Sequence, residues 1–572
     1  MRSVNTPKLG RLALTQAEFT SLTTTGGSGA AVEKLAMSQV LKRKFLLTAI
    51  RHETSNANNA PADTIHRMID LLAEAESVDG RAALAVLGHP YLDQWASNWL
   101  RTKGDLDEAA DYLSALAAAA AARARMTFAV DVRSGDGTVV LPTLGAGTGL
   151  GSGLVRITGT ADRITLHGTD GHADVPRPFT GAGAHWMPVR RVELEGRYAI
   201  AVEDLDAQRD CYPWPPQERL DDAAAARFGD TCRAAWSIIA TDFPDHAQGM
   251  RTALASLVPL THSDDAESQG ATAFRAFGSL AVSLDTPAEA MALSLIHEFM
   301  HMKLVAILDQ YDLHTTDRRL YFAPWRPDPR PISALLHGTY AHFGVCEFWR
   351  RRRGADGDRS AHFEFALWRR LTLHAVQTLL DSDELTACGR QFVEPLYRTL
   401  LDWVAEPVPA HIEHAADDVA YAYQVRWDLT HDEASADRDL SRLARAPRPS
   451  WLPAAWTQAP GAVRTESAAG AAEPMVAALI RSIVTGDAPA RADPRLVDAV
   501  AAHVDGQADR AAHEFRSAID GGAPEAWVGL CVASRRSDPV GRPRLVRRLY
   551  EASDRTVAPA DVSAWISAVL DG

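Results

Sequence analysis

Residues 297–301 read His-Glu-Phe-Met-His. Two imidazoles four residues apart lie on one face of a helix, a turn apart, because each residue advances the helix by about 100°. Neutral imidazole binds zinc, iron and other first-row ions, so His297 and His301 are candidate metal ligands. Glu298 is rotated one step from His297. It is close enough to take a proton from a metal-bound water or to orient a ligand from behind. The five letters fit a zinc peptidase and a non-haem iron oxygenase alike, so the pattern predicts a metal without choosing it.

A catalytic metal needs a third protein ligand and open positions for substrate. The metzincin continuation fails, with Leu304 in place of its glycine and Ile307 in place of its third histidine. Downstream, residues 333–352 read as a second helix interrupted by His337, Tyr340, His342 and Glu347. At helical spacing His342 points about 140° away from His337, whereas Glu347 lies about 80° from it. His337 is the first candidate for third ligand and Glu347 the alternative, which would complete a two-histidine, one-carboxylate set. In a peptidase, Glu298 would serve as the base, and a downstream histidine or Tyr340 would stabilise the oxyanion over Zn2+.

Before that helix, "APWRPDPRP" carries Pro324, Pro327, Pro329 and Pro331. Each proline fixes φ, so Arg326 and Arg330 are presented from a stiff extended backbone, suited to capturing a carboxylate in a bidentate grip.

These residues must be positioned by their elements. Thr286-Pro287-Ala288-Glu289 has the form of a capping box with proline at the first helical position, opening a helix that runs to about Gln310. Just before it, Leu280, Val282 and Leu284 alternate with Ser279, Ala281 and Ser283, the pattern of a half-buried strand. Apolar spacings of three and four predict helices between residues 34 and 126, and short β-type runs fill 127–203. The fold class expected is mainly α with a small antiparallel β-sheet (α+β). The expected regions are 1–126 helical, 127–210 a small β-rich insertion, 211–445 the metal-binding catalytic region, 446–474 a Pro/Ala/Gly-rich linker, and 475–572 helix pairs of the tetratricopeptide kind. "GAGTGLGSG" (145–153) opens onto no helix and lacks the Lys-Ser/Thr of a phosphate loop, so it reads as a hairpin connection.

The chain has 572 residues, 46% hydrophobic and 23% charged, enough for two or three domains with substantial cores. Its net charge of -14 opposes binding to nucleic acid or an anionic membrane. The basic run Arg350–Arg353 ends an apolar helical pattern, where cations complement the helix C-terminus. Five scattered cysteines with no CxxC spacing fit a cytoplasmic protein better than a disulfide framework or a zinc ribbon. No apolar h-region opens the chain, and no uninterrupted apolar run has the length of a membrane span.

"SLIHEFMHMKLVAILD" followed by "YFAPWRPDPRPISALLHGTYAHFGVCEFW" resembles the HExxH motif-containing peptide-modification proteins, over roughly residues 274–352. Such proteins occur in clusters making ribosomally synthesised peptides and as C-terminal parts of some radical-SAM maturases. The resemblance implies an Fe(II)- and 2-oxoglutarate-dependent enzyme that hydroxylates the β-carbon of a side chain in a precursor peptide. It implies His297, His301 and His337 as iron ligands, with Arg326 or Arg330 near the co-substrate. Glu298 would then orient a ligand imidazole. The zinc peptidase remains the alternative.

Overall fold

A computed structural model describes residues 14–24, 26–261, 270–315, 317–354, 358–431, 439–452, 473–487, 493–536 and 540–571. It is mainly helical with small sheets, an α+β protein. The chain forms two compact units, Met1–Asp312 and Leu313–Gly572. That division falls inside the region 211–445 expected to be continuous.

The first unit opens with helices Gln16–Thr24, Gly29–Glu53, Ala60–Val78, Gly80–Leu87, Tyr91–Thr102 and Leu106–Arg123. Asn59, Asp79 and Asp105 each accept a hydrogen bond from a backbone N–H of the first turn that follows, which starts three of these helices. Ala117 to Ala122 are wholly buried. A helix alanine-rich on every side can be surrounded, and small side chains let its neighbours come close.

Its core is shared with two antiparallel sheets. One runs Phe128–Ser134, Gly153–Gly159, Ile164–His167, His172–Asp174; the other joins Val139–Leu141, Gly145–Gly147 and Trp186–Pro188. The glycine-rich stretch therefore carries the chain from one sheet to another and does not close a hairpin. At Gly145 a Cβ would stand 2.2 Å from the Met187 carbonyl oxygen, so glycine serves close backbone approach there.

A third sheet positions the metal helix. Its order is Gly270–Thr272, Ser279–Ser283, Ser256–Leu260, Tyr198–Val202, Arg190–Glu195. The outer pairings are antiparallel, while Ser256–Leu260 runs parallel to both its neighbours, so this sheet is mixed and takes in the end of the expected β-rich insertion. All of Ser279–Ser283 is buried, not one face of it. Burial of Ser279 is tolerated because Tyr91 and Tyr212 both reach its hydroxyl at 2.9 Å.

Against this sheet lies helix Ala288–Leu308. Among the described residues it is the one helix long and apolar enough by length and composition to cross a membrane, and most of it is buried inside the unit. The sequence expectation of no such segment missed it because His297, His301 and Lys303 interrupt the apolar letters. Lys303 is buried, with its ammonium 5.4 Å from the centre of the Phe299 ring.

The second unit is helical, from Ile332–Arg352 through Arg359–Asp381, Ala387–Val404 and Ala410–His431 to the pairs between Met475 and Leu570. Arg350, Arg351 and Arg352 do close the first of these helices. One core runs from Phe363 to Leu570, so the last helices pack with Arg359–Asp381 and Ala410–His431 and form no separate domain. Most of the expected linker, residues 453–472, lies outside the described residues. The Phe515 ring lies where a Cβ on Gly529 would stand only 2.1 Å from it. Gly529→Ala is expected to destabilise this unit by about 1–3 kcal/mol through overpacking; an unchanged urea midpoint would show that the ring can move aside.

Candidate metal centre

Helix Ala288–Leu308 begins without the expected capping box. Pro287 is the N-cap and no side chain caps the helix. The Thr286 hydroxyl instead donates to the Ser283 carbonyl at 2.8 Å, holding the strand-to-helix turn. Glu289 in the first turn still complements the helix dipole.

Nine and thirteen residues into this helix, His297 and His301 stand edge to face with ring centroids 4.8 Å apart. Glu298 is buried beside them. His297 Nδ1 and Glu298 Oε1 are 2.9 Å apart, and Thr272 Oγ1 lies 2.7 Å from Oε2 and 2.8 Å from the Glu298 carbonyl oxygen. Both carboxylate oxygens are thus engaged. Burial alone would raise the Glu298 pKa, but His297, His301 and the Thr272 hydroxyl outweigh it and hold the carboxyl at about 2. An ionised Glu298 accepts the Nδ1–H of His297, which leaves the ring's lone pair on Nε2.

Among the described residues, His297, Glu298 and His301 form the cluster of metal-ligating side chains, with ligand atoms within 4.8 Å of one another. Two imidazoles beside a carboxylate, without thiolate, suit iron(II) or zinc. The donor set fits a first-row divalent ion.

The other expected residues belong to the second unit. There Leu320–Tyr321 pairs with Arg330–Pro331 across the proline-rich loop. Glu384 anchors this hairpin, accepting from the Tyr321 hydroxyl and the Arg318 N–H, each at 2.8 Å. Asp317 takes both the N–H and the hydroxyl of Ser333, starting helix Ile332–Arg352. Arg326 and Arg330 do hold a carboxylate, but it is their own neighbour: Asp328 meets Arg326 Nε at 2.7 Å and Arg330 Nη1 at 2.9 Å. The loop is not the extended run expected: it turns at Pro324 and Trp325, where the Arg326 N–H donates to the Ala323 carbonyl at 3.0 Å, and bends at Pro327 and Asp328, which brings the two arginines to the acid between them.

Trp325 lies so close to Gly338 that a Cβ there would stand 2.3 Å from the indole. The same indole stacks on His342 at 4.3 Å, and His342 Nδ1 is 2.8 Å from the Gly338 carbonyl oxygen. His337 is half-buried; burial first, and the charge of His314 second, push its pKa down to about 4, which leaves a neutral imidazole near pH 7. Tyr340 is wholly buried with its ring 5.1 Å from Phe392, and burial raises its pKa strongly. Glu347 is buried with Arg351 3.7 Å away, an i,i+4 ion pair. Sequence reasoning missed Thr272 and Asp328 altogether.

No protein-family model matches the chain, and no curated protein matches it. The resemblance drawn above therefore rests on the motif residues themselves.

His297→Ala and His301→Ala each remove a donor atom and are expected to weaken Co(II) or Zn2+ binding by more than about 100-fold. Equilibrium dialysis with metal analysis checks this; wild-type-like uptake by both variants would place the metal elsewhere.

Proposed function

We propose that the protein is an Fe(II)- and 2-oxoglutarate-dependent hydroxylase acting on a side-chain β-carbon of a ribosomally synthesised precursor peptide, in the cytoplasm. The observation that carries this reading over a zinc peptidase is the condition of Glu298. A general base must have an oxygen free to take a proton. Glu298 has both oxygens hydrogen-bonded, one to the Thr272 hydroxyl and the other to His297 Nδ1. It is suited to orient His297 and poorly suited to activate water.

When bound, iron(II) with 2-oxoglutarate and dioxygen supplies C–H hydroxylation, one oxygen atom entering the peptide and the other entering succinate as carbon dioxide leaves. The chain's part is to bind and aim. His297 and His301 donate imidazole nitrogens, and His337 is the third ligand expected from the sequence. Arg326 and Arg330 are the cations expected for the distal carboxylate of 2-oxoglutarate. Asp328 holds both in the orientation a carboxylate requires and competes for them.

The test is anaerobic reconstitution with iron(II), followed by addition of 2-oxoglutarate, oxygen and the peptide encoded beside the gene. Succinate release with one oxygen atom added to the peptide is expected; peptide cleavage without succinate would establish the peptidase instead. Glu298→Gln should slow the hydroxylase without abolishing it, whereas it would silence a peptidase. Arg330→Ala should raise the KM for 2-oxoglutarate about tenfold or more, the loss of a charge-assisted hydrogen bond. If neither Arg326 nor Arg330 affects that KM, the co-substrate assignment is wrong.

A further inference from the structure

We propose that Thr272 is a positioning residue for metal binding: from the edge strand Gly270–Thr272 it fixes the Glu298 carboxylate and, through it, the tautomer and aim of His297. The inference rests on the metal-binding reading of His297 and His301, and it holds for iron or zinc alike.

Glu298 follows His297 directly in the helix, and helical side chains lean toward the N-terminus, which brings its carboxylate beside the imidazole. One oxygen then faces His297 Nδ1 at 2.9 Å. The other oxygen faces a buried environment, where an unpaired carboxylate oxygen is costly. The one proton of the Thr272 hydroxyl answers that need, lying within reach of the carboxylate oxygen at 2.7 Å and of the Glu298 carbonyl oxygen at 2.8 Å, so the two acceptors share it. Two residues earlier on the strand, Gly270 leaves the room: a Cβ there would stand 3.1 Å from Glu298 Cγ and 3.1 Å from Ser294 Cβ. A hydroxyl and a missing side chain on one short strand therefore converge on the same carboxylate. The proton order follows from the chemistry of the groups. Thr272 donates to Glu298, Glu298 accepts from Nδ1 of His297, and Nε2 is left as the donor atom for an ion.

Thr272→Val keeps the shape and removes the donor; Thr272→Ser keeps the donor. Co(II) affinity and the visible absorption of the bound Co(II) are read by titration, alongside thermal melts of the metal-free proteins. Thr272→Val is expected to weaken Co(II) binding by about 10- to 100-fold with an altered spectrum, while Thr272→Ser stays close to wild type. A Thr272→Val protein that binds Co(II) with wild-type affinity and spectrum overturns the positioning role and leaves the metal centre standing. If the wild-type protein itself takes up no more Co(II) than His301→Ala, the metal-binding reading fails first and this assignment with it. Should Thr272→Val lose its native melt, Thr272→Ala, which removes the same donor without adding a methyl group, carries the same expectation and the same overturning result.

Discussion

A carboxylate shut away from water must find its hydrogen-bond partners in the protein, and Glu298 is the point where that demand shapes the molecule. Its partners come from two directions, His297 on its own helix and Thr272 on the neighbouring strand. Helix and sheet edge are thereby locked at one spacing. The same rule governs the sheet beneath: Ser279 lies in a strand buried on both faces and is satisfied by two tyrosine hydroxyls from separate segments. Hydrophobic burial holds this unit together, but these few polar contacts decide its register.

The second unit meets the same demand locally. Arg326, Asp328 and Arg330 pair within five residues, and Asp317 accepts the N–H and the hydroxyl of Ser333, sixteen residues on, where the next helix starts. The proline-rich loop is further fastened by Trp325, whose indole occupies the space that any side chain at position 338 would need. A loop stiffened by prolines, internal ion pairs and one stacked tryptophan loses little freedom on meeting a ligand.

Much of this was legible in the chain. The helix bearing His297 and His301, the helical opening, the β-type middle and the basic end of Ile332–Arg352 all follow from periodicity and charge. What failed did so for physical reasons. The expected capping box did not form because Pro287, whose side chain has no acceptor, takes the N-cap position and leaves Thr286 one residue outside it. Ser279 and Ser283 read as a solvent face, yet small hydroxyl side chains can be buried wherever a partner waits, and no local pattern announces the partner. The compact units part at Asp312 and Leu313, where composition shows no break, since chain packing and not proline content sets the boundary. Thr272 was invisible because its role depends on a residue twenty-six positions away. Asp328 was legible as the acidic letter two residues from an arginine on either side.

The orienting chain from Thr272 to His297 is made wholly of protein groups. An ion bound there would then add only the mass-action term set by its own affinity and concentration. Such a centre would be a socket more than a staple, exchanging its occupant without unfolding. Since affinities for these ions follow the same ascending series at most nitrogen and oxygen sites, the occupant of a socket is settled by supply. The metal that His297 and His301 would hold is in that sense a property of the cell that makes the protein as much as of the sequence.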